Sequence, residues 1–181
     1  MRRRHLLAGL ASAGVLGGAG AVATDAIPGG FGGDGVDADP VEPTTLNTVD
    51  APGSRGGEVT LPAAGEPTFV DFFARWCDPC VEQMPALNEA NDRIGDRVTF
   101  VSVTIEDVGG SVTEAEVSEW WSENDGDWLV AADVTAELSA KLGMSKLPTA
   151  VALDAQGRIQ WSDSGIHTAD ELADGIETAL D

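Results

Sequence analysis

Apolar and polar positions follow two different periods along the chain, and together they predict alternating strands and helices. Residues 68–73 read TFVDFF, a run of aromatic and β-branched side chains bounded by Pro67, which predicts a buried strand. Further strands are expected at 58–61, 98–105, 128–131, 149–153 and 158–161. Strands separated by helical segments are typical of an α/β fold, in which helices cover both faces of a central sheet.

Helical periodicity fills the gaps between these strands. Four apolar residues fall near one helical face and predict a helix after the first buried strand: Val81, Met84, Leu87 and Ile94. Two capping boxes, each a threonine with a glutamate three positions later, mark helix starts at Thr113 and Thr168. Another helix is expected over 133–142, ended by Gly143, and residues 154–157 (DAQG) predict a hairpin turn.

The first 57 residues lack both periods. Three arginines at positions 2–4 precede an apolar stretch, the order of an export signal, and the arrangement resembles a twin-arginine signal. We expect a signal peptide over 1–23, cleaved after Ala23, with an uncleaved N-terminal anchor as the alternative. Residues 24–57 are rich in Gly, Pro and Asp and are expected to be a flexible linker before a folded domain over 58–181. The protein is then extracytoplasmic, either secreted or tethered at the cell surface, where disulfides persist.

The charge of the chain is strongly negative, with 31 acidic residues against 10 basic ones and a net charge of −21. Such a field repels phosphate backbones, so nucleic acid is not expected as a partner. An apolar content of 43% argues against disorder. Because salt screens repulsion between surface carboxylates, we expect a salt-adapted protein from a halophilic source. The length of 181 residues suits one domain with tails, and we expect a monomer.

The only two cysteines, Cys77 and Cys80, stand three positions apart where the strand over 68–73 gives way to a helix. We expect Cys77 at the exposed first turn of that helix, where free amides and the helix dipole stabilise a thiolate. Cys80 then lies close enough to attack a mixed disulfide formed at Cys77, while Pro79 stiffens the turn. The pair predicts dithiol redox chemistry that requires no cofactor.

Several other functions can be built on a Cys-x-x-Cys pair. A structural disulfide that closes so short a loop would remove little chain entropy. A closed zinc site needs four ligands, whereas the mature chain offers only Cys77, Cys80 and His167 as thiol or imidazole donors. A Cu(I)-binding metallochaperone that uses these three groups stays open as the alternative. The Pro-x-x-x-Thr-x-x-Cys pattern of a peroxidase is absent.

Residues 70–80 (VDFFARWCDPC) and 147–149 (LPT) closely resemble thioredoxin. The predicted export signal, the linker and the segment 143–159 make the chain more similar to the secreted TlpA and ResA branch, over about residues 56–181, and a haloarchaeal source is expected. This resemblance implies a thioredoxin-like fold with a central mixed sheet. It also implies a thiol-disulfide oxidoreductase that reduces disulfides of exported client proteins, of the cytochrome c or copper-oxidase assembly type, and is re-reduced by a membrane electron donor. An oxidant of secreted proteins would use the same residues.

The resemblance also implies how a substrate binds. Pro148 is expected to be a cis-proline beside the cysteines and to line the groove in which a substrate strand docks. Trp76, Pro79 and Leu147 are expected to line the same groove. For Trp76, ordinary packing in the core is the alternative.

Two carboxylates are expected to influence the cysteines. Asp71 matches the buried aspartate of thioredoxin, which moves a proton to and from the second cysteine, here Cys80. Asp78 stands where the family usually has glycine or proline. Its negative charge disfavours the Cys77 thiolate, which should make the dithiol couple more reducing.

Overall fold

The computed structural model describes residues 39–181, which are organised around a seven-stranded mixed sheet. The strands are β1 (Thr44–Thr48), β2 (Gly57–Leu61), β3 (Thr68–Phe73), β4 (Thr99–Thr104), β5 (Leu129–Ala132), β6 (Thr149–Leu153) and β7 (Ile159–Ser164). They lie in the order β2-β1-β5-β4-β3-β6-β7. The β3–β4 and β4–β5 pairs are parallel, and all other pairs are antiparallel. The predicted signal peptide over 1–23 lies outside the described residues, as do residues 24–38 of the predicted linker.

Helices cover both faces of this sheet, as the sequence predicts. They are α1 (Asp78–Ile94), α2 (Glu114–Glu123), α3 (Glu137–Lys141) and α4 (Ala169–Glu177), and one 3-10 turn (Gly95–Arg97) follows α1. Phe69 and Phe73 of β3 pack in one apolar cluster with residues of α1, α2 and α4. Val70 and Phe72 point the other way and pack with Leu138 of α3. Within residues 39–181 no helix has the length and apolar character needed to cross a membrane.

Both predicted capping boxes are confirmed. Thr113 Oγ1 accepts a hydrogen bond from the Glu116 amide at 3.2 Å, and the Glu116 carboxylate accepts one from the Thr113 amide at 2.8 Å. Thr168 and Glu171 repeat this exchange at the start of α4, at 3.2 and 2.8 Å. Each box satisfies two amides that have no partner inside the helix, so α2 and α4 begin where the sequence predicts.

The helix predicted over 133–142 is shorter than expected. Asp133 is buried, and its carboxylate accepts hydrogen bonds from the amides of Leu138 at 3.3 Å and Ser139 at 2.7 Å. Ala136 adopts a left-handed conformation with φ 56°. The side chain of Asp133 therefore occupies the N-terminal end of α3, and regular helix begins only at Glu137.

The boundary predicted between linker and domain at residue 58 has to be corrected. Residues 44–48 form β1, which pairs with β2 over its whole length and with β5 at Asn47 and Thr48. The strand carries one large apolar residue, Leu46, between threonines and an asparagine, so it gives little hydrophobic signal. Its structure depends on pairing with strands on both sides. The described fold thus takes in residues assigned to the linker from sequence.

Candidate active site

The two cysteines are bonded to each other at the start of α1. The S–S distance is 2.07 Å, and Cys77 is the residue that caps the helix. The Cys80 amide donates a hydrogen bond to Cys77 Sγ at 3.2 Å. An amide at a helix N-terminus, together with the positive end of the helix dipole, stabilises negative charge on this sulfur after the disulfide opens. The predicted position of Cys77 at the first turn is confirmed.

The first turn is exposed at Asp78 and Pro79, as expected, but the side chains of the two cysteines are themselves buried. Only 5% of the Cys77 surface and 2% of the Cys80 surface are accessible. Both cysteines belong to the same apolar cluster as Phe69 and Phe73 of β3 and Leu172 of α4. Cys77 nevertheless lines a groove open to solvent, and Cys80 does not. A substrate entering by the groove therefore meets Cys77 first.

The groove has a volume of about 550 Å³ and runs between the start of α1 and the segment before β6. It is lined by Trp76, Cys77, Asp78, Pro79, Ile105, Met144, Ser145, Lys146 and Leu147. All three predicted groove residues, Trp76, Pro79 and Leu147, are among them. Trp76 is 68% exposed, which excludes the alternative of a core tryptophan. The Leu147–Pro148 peptide bond is cis, as the resemblance implies. Pro148 itself is buried and is not among the lining residues, so the groove wall expected at Pro148 is formed by Leu147 instead.

The loop that carries the cysteines is held by a buried carboxylate. The Cys77 amide donates to the Ala74 carbonyl at 3.0 Å, and the Arg75 amide donates to Glu106 Oε2 at 2.9 Å. Arg75 Nε lies 3.4 Å from the same oxygen, and its guanidinium also pairs with Glu116 at 3.5 Å. These contacts join the end of β3 to the residues after β4 and to α2. They fix the entry to α1 without involving the groove.

Asp71 is buried on the face of the sheet that α1 covers. Its neighbours two positions away on β3, Phe69 and Phe73, pack in the cluster that contains Cys80, and alternate residues of a strand point to one face. Burial raises the pKa of Asp71 from 3.8 to about 7, and the hydrogen bond from Ser102 lowers it by a smaller amount. The predicted burial of Asp71 is therefore confirmed, and its carboxyl group titrates near neutral pH.

A short chain of hydrogen bonds orients the Asp71 carboxyl group. Trp128 Nε1 donates to Ser102 Oγ at 3.0 Å, and Ser102 Oγ donates to Asp71 Oδ2 at 3.3 Å. Asp71 Oδ1 is buried and has no hydrogen-bond partner within residues 39–181. One carboxyl oxygen is thus held by the sheet, while the other carries no hydrogen bond in the described part of the fold.

His167, the third donor of the copper alternative, does not join the cysteines. Its ring packs edge-on against Trp161 with centroids 5.6 Å apart. Gln83 of α1 holds its backbone, accepting from the His167 amide at 2.6 Å and donating to the His167 carbonyl at 3.1 Å. Across the described part of the chain, no group of three or more His, Cys, Asp or Glu side chains is placed to hold a metal ion.

Sequence reasoning missed Gln83, Ser102, Glu106 and Lys146 near the site. Gln83 lies three positions after Cys80, so helical spacing alone places it on the same face of α1. Lys146 stands two positions before Pro148, within the segment that the resemblance assigns to the groove. Ser102 and Glu106 give no such signal, because their roles depend on the register between β3 and β4.

The fold and the site together define a thioredoxin-like thiol-disulfide oxidoreductase. A mixed sheet carries a Cys-x-x-Cys pair at the start of a helix, facing a segment that contains a cis-proline. The chain belongs to the Redoxin family, whose model matches residues 38–180.

Known relatives agree with this class. The chain is 25% identical to sporulation thiol-disulfide oxidoreductase A of Bacillus subtilis over 123 residues, 67% of this chain and 73% of that protein. It is 26% identical to the thiol-disulfide oxidoreductase ResA of Bacillus thuringiensis subsp. konkukian over 113 residues, 62% of this chain and 63% of ResA. The match thus spans slightly less than two thirds of ResA. The pneumococcal exposed lipoprotein thioredoxin of Streptococcus pneumoniae has the same fold, with a TM-score of 0.62, 22% identity and coverage of 75% of this chain and 98% of that one.

Proposed function

We propose that the protein reduces disulfides of exported client proteins, with Cys77 as the attacking thiol and Cys80 as the resolving thiol. The observation that carries this proposal is the position of the Cys77–Cys80 disulfide, with Cys77 on the groove wall and Cys80 behind it. Cys77 is therefore the sulfur that attacks a client disulfide, and it is also the sulfur that a client thiol can attack. Cys80 remains within bonding distance for the second step.

The reaction begins with the protein in its dithiol form. The Cys77 thiolate attacks one sulfur of the client disulfide; a bond forms between Cys77 and that sulfur, and the other client sulfur leaves as a thiolate. The Cys80 thiolate then attacks Cys77 Sγ and releases the first client sulfur as a thiolate. The client gains two electrons and the protein loses two, ending as the Cys77–Cys80 disulfide.

Asp71 supports the second step as a proton acceptor. Cys80 must lose its proton before it attacks, and a carboxyl group with a pKa of about 7 can accept a proton and return it in the next cycle. Asp71 lies on the sheet face that α1 packs against, and its Oδ1 carries no competing hydrogen bond in the described part of the fold. Asp71 would then ionise Cys80 without opening the site to solvent.

Three features support action outside the cytoplasm and in the reducing direction. The segment over 1–23 has the composition of an export signal. A structure with the same fold belongs to an exposed lipoprotein of Streptococcus pneumoniae. Asp78, beside Cys77 in the groove, disfavours the thiolate form and so favours donation of electrons. The clients are then exported proteins of the cytochrome c or copper-oxidase assembly type, a membrane donor returns the electrons, and the protein acts as a monomer.

Trapping of the mixed disulfide tests the separate roles of Cys77 as the attacking thiol and Cys80 as the resolving thiol. The variant Cys80→Ser cannot resolve the intermediate, so the reduced variant incubated with a protein disulfide should accumulate a covalent complex. The matched control Cys77→Ser keeps one cysteine in the same helical turn but lacks the groove thiol, and it should accumulate little complex. Mass spectrometry of the adducts decides the result. Equal trapping by both variants would contradict the assignment of Cys77 as the attacking residue.

A further inference from the structure

Lys146 is a cation in the groove that the fold does not use. Residues 39–181 contain seven lysines and arginines, and five of them form ion pairs with carboxylates. The two without an ion pair are Arg55 and Lys146. Arg55 is exposed in the loop between β1 and β2, whereas Lys146 lines the groove beside Cys77.

The backbone at Lys146 is fixed although its side chain is exposed. Thr149 Oγ1 donates a hydrogen bond to the Lys146 carbonyl at 2.7 Å. It forms a second hydrogen bond with Ser164 Oγ at the same distance. Thr149 also begins β6, one residue after the cis-proline. The ammonium group is thus carried on a backbone segment held by hydrogen bonds at the wall of the groove, which is where the proposed function places the substrate.

The rest of the surface makes this cation unusual. A chain with a net charge of −21 repels acidic proteins. A client from the salt-rich surroundings that this charge predicts is expected to carry a similar excess of carboxylates. Lys146 is an attractive point inside the groove, while Asp78 across it repels carboxylates. The two charges give the groove one cationic and one anionic side.

We infer that Lys146 selects clients whose disulfide is flanked on one side by an acidic residue. The inference rests on the proposed function, since it concerns which disulfides enter the same groove. The ammonium group pairs with the client carboxylate during attack by Cys77. An acidic residue on the other flank of the client cysteine would face Asp78 and gain nothing.

Rates with charged peptides test this selection. The reduced protein is mixed with one of three peptide disulfides that differ only in the residues next to the cysteine. The first has glutamine on both sides of the cysteine, the second has glutamate on the N-terminal side, and the third has glutamate on the C-terminal side. Loss of protein thiols, followed by mass tagging, gives the second-order rate constant for each peptide. We expect one acidic peptide to react about two- to fivefold faster than the neutral one, the range of an exposed ion pair. The preference should shrink as salt rises from about 0.15 M to about 1 M.

Variants separate the role of Lys146 from general electrostatics. In Lys146→Gln the ratio of acidic to neutral rates should fall to about one, and in Lys146→Arg it should persist. Arg55→Gln is the matched control, because it removes one exposed unpaired cation three strands away from β3 and should keep the preference. The inference is overturned if the natural protein shows no preference for an acidic peptide, or if the preference survives in Lys146→Gln. In both cases reaction with the neutral peptide still supports the proposed function. Failure to oxidise the protein with any peptide overturns both.

Discussion

Asp71 is the residue whose surroundings have the largest effect on its chemistry. Its pKa rises from 3.8 to about 7 because the carboxyl group is buried, and Ser102 reverses only part of that rise. Between these two pH values the folded protein binds a proton that the unfolded chain releases. Stability therefore falls as pH rises through this window, and above it the folded state carries a buried charge.

The variant Asp71→Asn tests this argument. It should leave stability unchanged below about pH 4 and raise it by up to roughly 4 kcal/mol at about pH 8, because a shift of one pKa unit corresponds to 1.36 kcal/mol. Urea unfolding at the two pH values measures the difference. Asp92→Asn, at an exposed position of α1, is the control and should not change the pH dependence. A variant no more stable than the natural protein at high pH would contradict the raised pKa.

At the same scale, the sequence predicts some site residues and misses others for physical reasons. The spacing of Cys77 and Cys80 and the apolar flanks of Asp71 are local features, and their placement and burial are confirmed. The low exposure of Cys77 depends on how α1 packs against β3, which a local pattern does not contain. The position of Lys146 in the groove cannot be predicted from its local sequence, because it depends on how the segment before β6 packs beside the start of α1.

Among the elements, β1 shows most clearly what a local pattern omits. The strand has one large apolar residue, and its formation depends on β2 and β5. The loop after it contains Gly53, whose φ is 71° and which lies against the backbone of the Asp127–Trp128 peptide. A Cβ atom at this position would lie 2.1 Å from the Asp127 carbonyl carbon. The loop after β1 therefore packs directly on the backbone that leads into β5.

The variant Gly53→Ala tests that packing. We expect it to lower the free energy of unfolding by about 3 kcal/mol, since both the left-handed backbone and the collision with main-chain atoms are unfavourable. Gly65→Ala is the matched control: Gly65 has φ 77° but no heavy atom within 4 Å of an added Cβ. Its cost should be about 1 kcal/mol, from the backbone alone. Equal costs in denaturant unfolding would contradict the close approach at Gly53.

Strands and helices with strong local signals are predicted well. The bounds of β3 match the prediction, because all six residues are buried and five of them are Thr, Val or Phe, which favour strands. The two capping boxes also predict where α2 and α4 begin, because each box is a local contact between residues three positions apart. By contrast, α3 is shortened by Asp133, whose carboxylate reaches amides five and six residues later. Such a contact is decided by tertiary burial and leaves no periodic trace in the sequence.

For the whole molecule, net charge is the property that predicts how folding stability depends on salt. With 31 acidic and 10 basic residues, the chain repels itself in dilute buffer. The repulsion is screened as the Debye length falls from about 10 Å at 0.1 M salt to about 3 Å at 1 M. Folding stability should therefore depend strongly on salt.

Thermal unfolding in potassium chloride measures this dependence. We expect Tm to rise by about 10 °C or more between roughly 0.1 M and 2 M salt, where each kcal/mol corresponds to about 3 °C. Sucrose strengthens burial without screening charge and is the control; it should raise Tm much less at equal osmolality. A Tm that is flat in salt, or that rises equally in sucrose, would contradict a salt-adapted surface.

The central claim is that Cys77 and Cys80 form a reducing dithiol couple, and its reduction potential tests this most directly. The protein is equilibrated in molar salt with mixtures of reduced and oxidised dithiothreitol or glutathione, and free thiols are counted by mass tagging. We predict a Cys77–Cys80 disulfide with a potential of about −270 mV or lower, in the range of thioredoxin. A value near −120 mV would contradict the reducing direction and indicate an oxidant of secreted proteins. Failure to form the disulfide at any ratio would contradict the redox function itself.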